Sequence, residues 1–243
     1  YLAGKDEERA ADINQFFADP RINLILPIRG DWGCSRILPY LDYDLIKKNP
    51  KIMIGFSDLT ALLLAITAKT GLVTFHGPNG LTSWRPQQTA SFKEVLWQGN
   101  APLFQNTPHP EDSDRLMAVK NRIRTITSGT ARGKIFGGNL SVFVTLMGTP
   151  YLPNLKGAIL FLEDVGKDVY RIDRMLTHLK LAGIFEQISG FIWGQCTNCP
   201  ANSTYGSLTL DEILRDHLAP FKIPAYSGAM IGHLEPILTF PLG

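Results

Sequence analysis

Ser57 is the residue that the sequence places best for nucleophilic chemistry. It lies between a short apolar run at 52–54, which predicts a strand, and a stretch with helical apolar spacing at 58–69. A serine on a strand-to-helix turn stands clear of the backbone, and neighbouring N–H groups point into the same space. The alternative is that Ser57 or Asp58 simply caps the helix. Taken alone, this turn favours the cap, because Leu59 stands where the hydrolase elbow motif has glycine.

A nucleophilic serine also needs a base and a group that orients the base. Among the histidines, His76 and His233 each lie at a predicted strand end beside a glycine. Glu163 and Asp164 end a predicted apolar strand, where a charge is costly unless a partner is present. Ser57, Glu163 and His233 can therefore fill the three roles in that chain order. Spacing alone leaves open a capping serine with two structural polar residues.

The three cysteines do not form a disulfide framework or a metal site in the sequence. Cys196 and Cys199 make a single C-x-x-C, without the second half that a four-ligand zinc site needs. We therefore expect a loop with two free thiols and predict no metal.

Two glycine-containing loops could bind an anion, but neither carries a nucleotide motif. The loop at 29–33 reads RGDWG and lacks both the G-x-G-x-x-G and the Gly-Lys-Ser/Thr signatures. Residues 137–139 (GGN) precede an apolar helix and could present N–H groups. A tight turn followed by an Asn cap is the favoured interpretation of that segment, so no cofactor is predicted.

Composition argues against two classes of partner. The net charge is +2 and the basic residues are scattered, which is not the footprint of a nucleic-acid-binding protein. No apolar run approaches the roughly 20 residues that span a bilayer. Apolar content of 44% and charged content of 19% are typical of a soluble globular protein.

The predicted elements that must position Ser57 alternate between helices and strands. We predict a helix at 6–17, strands at 22–26 and 52–54, a helix at 58–69 and a strand at 72–75. This alternation predicts a parallel sheet with crossover helices.

A proline-rich polar stretch follows and indicates a linker between two domains. We predict an N-terminal domain at 1–100, a linker at 101–118 and a C-terminal domain at 119–243. In the C-terminal domain, the segments 122–127 and 131–136 are expected to pair as an antiparallel hairpin.

Sequence motifs along nearly the whole chain give more information than the spacing of single residues. They are 29–33 (RGDWG), 36–42 (RILPYLD), 50–62 (PKIMIGFSDLTAL), 75–78 (FHGP), 137–140 (GGNL), 159–164 (ILFLED), 170–176 (YRIDRML) and 232–233 (GH). In this order they resemble the LD-carboxypeptidase family of serine peptidases, which includes murein tetrapeptide carboxypeptidases and microcin C self-immunity peptidases.

The resemblance implies a hydrolase with a Ser-His-Glu triad. Ser57 would be the nucleophile, His233 the general base and acid, and Glu163 the group that orients the imidazole. The oxyanion hole would use the N–H of Asp58 together with an N–H from the 29–33 loop. The loop residues implied for that role are Gly30 and Asp31, and the substrate-binding residues implied are Trp32, Gly138 and Asn139.

The same resemblance implies a substrate and a fold. The family's typical substrate is the L,D-peptide bond before the terminal D-alanine of a murein tetrapeptide, cleaved through an acyl-enzyme. The expected fold is α/β, with a Rossmann-like N-terminal domain and a smaller mixed α/β C-terminal domain. Relatives carry a further N-terminal segment, so we expect the parallel sheet to lack its first strand. A cytoplasmic homodimer with its site in an interdomain cleft is implied as well.

Two departures from the family pattern bear on the site. Asp31 stands where the family has glycine, so a positive φ there would be strained, and its carboxylate would lie near developing negative charge. Lys167 stands where the family commonly has Glu, which changes the charge near the cleft.

Two alternatives stay open. One is an immunity-type hydrolase of peptidyl- or aminoacyl-nucleotide toxins, which a base-stacking role for Trp32 beside Ser57 would favour. The other is a non-catalytic binding protein of the same fold.

Overall fold

The computed structural model describes residues 2–106, 121–201 and 206–243. Within these ranges, the α-helices are α1 (Asp6–Ala18), α2 (Cys34–Ile37), α3 (Tyr43–Lys48), α4 (Thr60–Thr70), α5 (Pro86–Leu96), α6 (Leu140–Leu146), α7 (Val169–Leu181) and α8 (Leu210–Leu218). The strands are β1 (Leu24–Ile25), β2 (Ile52–Gly55), β3 (Thr74–His76), β4 (Arg124–Thr127), β5 (Ile135–Asn139), β6 (Ile159–Val165), β7 (Gly190–Thr197), β8 (Ala225–Ser227) and β9 (Phe240–Leu242). Short 3-10 turns lie at Leu38–Tyr40, Ser57–Leu59 and Ala219–Phe221.

The first sheet has the strand order β1-β2-β3-β9. The pairs β1–β2 and β2–β3 are parallel, which confirms the predicted parallel arrangement. β9 adds an antiparallel edge, with Phe240 opposite His76. The end of the chain therefore returns to the first sheet, which local patterns did not predict.

The second sheet has the strand order β4-β8-β7-β6-β5. Strands β5 to β8 are parallel, and β4 is antiparallel to β8. The predicted hairpin of 122–127 with 131–136 is wrong, because β4 and β5 lie at opposite edges of this sheet. β5 is largely buried and pairs with the apolar strand β6, whereas β4 begins with exposed residues and suits an outer edge.

The two sheets form the mixed α/β, two-domain fold that was expected, with mostly parallel strands in each sheet. The boundaries at 100 and 119 stay a prediction. The predicted linker at 101–118 lies outside the described residues from 107 onward.

Helix α4 joins the two halves. It contacts β2 and β3 of the first sheet, and α6 and β5 beside the second. The predicted apolar residues of this helix are buried, and residues 60–67 are buried on every face, so the first two turns of the helix are enclosed. The helix that follows Ser57 is thereby held by both sheets.

The segment 137–139 continues β5 instead of forming the expected tight turn. The predicted Asn cap is confirmed, since the Asn139 side chain accepts the Val142 N–H at 3.2 Å at the start of α6.

The expectation of two free thiols is wrong. Cys196 and Cys199 form a disulfide, with their Cα atoms 5.6 Å apart, because the chain turns back on itself directly after β7. In the described ranges, no group of three or more His, Cys, Asp or Glu side chains is arranged to hold a metal ion. Nor do those ranges contain a helix long and apolar enough to cross a membrane.

Candidate active site

The turn after β2 holds Ser57 in an unusual backbone conformation. Its φ angle is 64°, in the left-handed region that costs a non-glycine residue about 1–3 kcal/mol. Neither Ser57 nor Asp58 caps the helix that follows through its side chain, so the predicted cap of that helix is wrong. The strained turn instead directs the Ser57 hydroxyl toward the second half of the chain.

Ser57, His233 and Glu163 form a continuous hydrogen-bonded chain. The Ser57 Oγ lies 2.9 Å from His233 Nε2, and His233 Nδ1 lies 2.8 Å from Glu163 Oε2. Glu163 lies on β6 and is fully buried, whereas the side chain of His233 is 18% exposed. The structure thus brings together three residues that lie far apart in the sequence.

The neighbouring carboxylates have separate surroundings. Asp164 accepts hydrogen bonds from the Ser141 N–H at 3.0 Å and from the Ser141 hydroxyl at 2.7 Å, so it holds the start of α6. Asn139 Nδ2 lies 3.3 Å from Glu163 Oε1 and also 3.3 Å from Asp164 Oδ1. Glu163 is therefore the carboxylate that faces the imidazole, and Asn139 donates to its other oxygen.

His76, the other candidate base, is enclosed by aromatic rings. Its ring stacks on Phe240 at 4.8 Å and meets the edge of Phe161 at 5.3 Å. Burial, and secondarily the charge of His233, lowers the pKa of His76 to about 3. A neutral buried imidazole at this position is a core residue, and the base role falls to His233.

The 29–33 loop is anchored to the Ser57 turn. The Asp58 carboxylate accepts the Cys34 N–H at 2.7 Å. Burial, and then the charge of Asp58, raises the pKa of the Cys34 thiol far above its usual range. Cys34 is therefore a protonated structural residue and not a nucleophile.

Gly30 lies directly against the same turn. A Cβ atom at Gly30 would be 3.2 Å from the Asp58 nitrogen and 3.2 Å from Ser57 Cβ, which is tighter than a side chain tolerates without movement. Asp31 has a φ angle of 89°, which confirms the strain expected where an aspartate replaces glycine. Its side chain is exposed and pairs with Arg29.

A cleft of about 640 Å³ opens over these groups. Its lining residues are Arg29, Gly30, Asp31, Phe56, Ser57, Asn79, Leu81, Thr82, Val165, His233, Glu235 and Ile237.

Glu235 is a charged cleft residue that sequence reasoning missed. Its pKa is lowered chiefly by a hydrogen bond from Ser83, with a further contribution from the charge of Arg85. The Arg85 Nε lies 2.7 Å from Glu235 Oε2. A signal was present, since Glu235 follows closely after the candidate base His233 in the sequence. Asn79 and Thr82 lack a comparable pattern.

The predicted substrate-binding residues fall in different environments. Trp32 is 43% exposed. Gly138 and Asn139 are buried, and the Asn139 N–H donates to Thr60 Oγ1 at 3.1 Å. The Lys167 ammonium lies 3.9 Å from Asp164 Oδ1. The substrate-binding roles of Trp32, Gly138 and Asn139 stay predictions.

Two family models match this chain. The LD-carboxypeptidase N-terminal domain matches residues 1–77, and the LD-carboxypeptidase C-terminal domain matches residues 132–243.

Two relatives and one solved structure illustrate the similarity. The chain is 37% identical to a probable murein peptide carboxypeptidase of Bacillus subtilis, covering 100% of this chain and 74% of that protein. It is 33% identical to the microcin C7 self-immunity protein MccF of Escherichia coli, covering 100% of this chain and 76% of that protein. The structure of MccF in complex with glutamyl sulfamoyl guanosine superposes with a TM-score of 0.84 at 32% identity, over 100% of this chain and 78% of that one.

Proposed function

Because this chain belongs to the LD-carboxypeptidase family, we propose that it is a serine carboxypeptidase acting on murein tetrapeptides. It would hydrolyse the L,D-peptide bond before the terminal D-alanine, through an acyl-enzyme on Ser57. The observation that carries the proposal is the hydrogen-bonded chain from Ser57 Oγ through His233 to the buried carboxylate of Glu163. The base lies within hydrogen-bonding distance of both the nucleophile and the orienting group, as acyl transfer requires.

In the acylation step, Ser57 Oγ attacks the carbonyl carbon of the scissile bond while His233 Nε2 takes the hydroxyl proton. The imidazolium that forms is stabilised by the Glu163 carboxylate, whose burial strengthens the interaction. When the tetrahedral intermediate collapses, the C–N bond breaks, and His233 returns the proton to the amine of the departing D-alanine.

The developing oxyanion would be held by the backbone N–H of Asp58 and an N–H from Gly30 or Asp31. The close packing of Gly30 on the Ser57 turn supports this placement. Preorganised donors of this kind stabilise the charge that appears only in the transition state.

Deacylation repeats the same proton path with water. His233 Nε2 takes a proton from the attacking water, and the ester bond to Ser57 then breaks with return of the proton to Oγ. The free carboxylate of the tripeptide and the regenerated serine hydroxyl are the products.

Release of D-alanine from L-Ala-D-Glu-diaminopimelate-D-Ala tests the proposal. The parent protein should release D-alanine, and Ser57→Ala should lower the rate at least about 10³-fold, since the nucleophile is removed. Equal release by the parent and by Ser57→Ala would rule out this assignment.

An immunity-type activity is the second candidate, and one observation favours it. Trp32 follows the cleft residue Asp31 in the chain and is 43% exposed, and an aromatic ring is the kind of side chain on which a nucleobase stacks. MccF, which this fold matches, has been solved with glutamyl sulfamoyl guanosine. Comparing the rates at which the protein hydrolyses an aminoacyl sulfamoyl adenosine and the murein tetrapeptide would distinguish the two candidate functions. Preference for the nucleotide conjugate, lost in Trp32→Ala, would favour the immunity role.

We further propose a cytoplasmic homodimer with domains at 1–100 and 119–243, as the family resemblance implies. Sedimentation velocity of the purified protein checks the dimer, and a single monomeric species would contradict it. Binding of the tetrapeptide without turnover, together with an unreactive Ser57, would instead indicate a non-catalytic binding protein.

A further inference from the structure

The contacts around the site form a closed ring that crosses between the two halves of the chain. Ser57 contacts His233, which contacts Glu163, which accepts from the side chain of Asn139. The backbone N–H of Asn139 donates to Thr60 Oγ1 at 3.1 Å. Thr60 opens α4 directly after the turn at Ser57–Leu59, which closes the ring.

Thr60 thus links the Ser57 turn to Asn139, the residue whose side chain donates to Glu163. The Thr60 residue is 1% exposed and Asn139 is 5% exposed, so solvent cannot replace the hydrogen bond between them. The hydroxyl lies next to the start of α6, whereas Ser57 lies one turn earlier on the same connection. A shift at Thr60 would therefore move the elbow relative to β5 and β6.

Gly138 shows how closely the two segments approach. A Cβ atom at residue 138 would lie 2.3 Å from Thr60 Oγ1 and 2.6 Å from Thr60 Cγ2. Such a distance is shorter than any real contact, so the glycine permits the Thr60 hydroxyl to reach the backbone of Asn139. Side-chain size at both positions is matched to this contact.

We propose that Thr60 is a positioning residue that sets the geometry between the Ser57 hydroxyl and the His233 imidazole. It touches neither the substrate nor the reacting atoms, and it acts through Asn139 and Glu163. The inference rests on the proposed function for its D-alanine release assay, but not for its second measurement, the rate at which a reagent labels Ser57. A misplacement of about 1 Å in such a constellation can slow the chemical step about 100-fold.

The test compares Thr60→Val, Thr60→Ser and Thr67→Val. Thr67 is a matched control because it is also buried in α4 and its hydroxyl lies 3.1 Å from the Thr74 hydroxyl, away from the site. Each variant is measured for kcat and KM in D-alanine release, and for the rate at which a fluorophosphonate labels Ser57. Melting temperatures monitor folding.

Thr60→Val should lower both kcat and the labelling rate about 10- to 100-fold, with KM nearly unchanged. Thr60→Ser retains the hydroxyl and should restore kcat and the labelling rate. Thr67→Val should match the parent in kcat and labelling rate despite a loss of stability similar to that of Thr60→Val. A labelling rate of Thr60→Val equal to that of Thr67→Val would overturn the proposal. If Thr60→Val does not fold, Thr60→Ala carries the same comparison.

The two hypotheses fail differently. A parent protein that is labelled at Ser57 but releases no D-alanine would contradict the proposed substrate, while the labelling rates would still decide the role of Thr60. A parent protein that is neither labelled nor active would overturn both.

Discussion

The carboxylate of Asp58 accepts the backbone N–H of Cys34 at 2.7 Å, and this hydrogen bond ties the loop at 29–33 to the turn that carries Ser57. Asp58 thereby contributes in two ways: its own N–H is a proposed oxyanion donor, and its side chain holds the loop that supplies the second donor. Loop and turn form one unit even though they come from separate connections of the first sheet.

The first prediction concerns this anchor. Asp58→Ala leaves the Cys34 N–H without its acceptor and frees the loop, so kcat should fall about 10- to 100-fold and the free energy of unfolding by about 1–3 kcal/mol. Asp58→Asn retains an oxygen acceptor, so it should keep most of the parent's kcat and unfolding free energy. Steady-state kinetics and urea denaturation provide the measurements.

Asp42→Ala is the matched control for Asp58→Ala. The Asp42 side chain accepts the Leu45 N–H at 2.9 Å as the N-cap of α3, remote from the cleft. It should lose about 1 kcal/mol of stability with kcat unchanged. An equal loss of kcat in Asp42→Ala and Asp58→Ala would show that general destabilisation explains both.

The second prediction concerns the orienting carboxylate. Glu163→Gln preserves the shape of the side chain but removes the charge that stabilises the His233 imidazolium, so kcat should fall roughly 10³- to 10⁴-fold. Asp173→Asn alters a second histidine–carboxylate pair, which lies outside the site and is more exposed; Asp173 Oδ1 lies 2.6 Å from His217 Nε2. That control should keep full activity. Retention of kcat in Glu163→Gln would exclude Glu163 from the proposed triad.

The third prediction follows from the lowered pKa of His76. Its ordinary value is 6.5 and its folded value is about 3, so between these two pH values the unfolded chain binds a proton that the folded protein excludes. His76 therefore contributes stability that is fully present above about pH 6.5 and is lost as the pH falls toward about 3. The slope for one such group is about 1.4 kcal/mol per pH unit.

His76→Phe removes this group and should flatten the dependence of unfolding free energy on pH by that amount. Urea denaturation of the parent and the variant at several pH values measures the difference in slope. His178→Gln, which changes an exposed histidine of α7, is the matched histidine control. Parallel pH curves for His76→Phe and the parent would contradict a neutral buried imidazole at residue 76.

The fourth prediction concerns the strained aspartate of the oxyanion loop. Asp31→Gly relieves the positive φ angle and should raise the unfolding free energy by about 1 kcal/mol. It also removes a carboxylate near the proposed oxyanion, so kcat should rise by up to about tenfold. Asp31→Asn removes only the charge and should reproduce the change in kcat with little change in stability.

Lys222→Gly provides the backbone control for Asp31→Gly. Lys222 is exposed, has a φ angle of 56° and follows the Ala219–Phe221 turn, away from the cleft. It should change stability without changing kcat. A fall in kcat for Asp31→Asn would instead indicate that the Asp31 carboxylate assists the reaction.

The sequence by itself predicted the local elements around Ser57 and the family, but not the helices Tyr43–Lys48 and Pro86–Leu96. The apolar run before Ser57, the helix after it and the Asn139 cap are properties of neighbouring residues, and such local patterns determine local conformation. The family resemblance implied Ser57, Glu163 and His233 as a set, because motifs of the family occur in the same order along nearly the whole chain.

Only the tertiary structure decided which residues meet. In the folded chain, His76 packs among aromatic rings and His233 contacts Ser57. Asp164 accepts hydrogen bonds at the start of α6, whereas Glu163 faces the imidazole. The tertiary structure also placed β9 in the first sheet and separated β4 from β5. These outcomes depend on strand partners and on burial between segments far apart in the chain, and no local pattern carries that information.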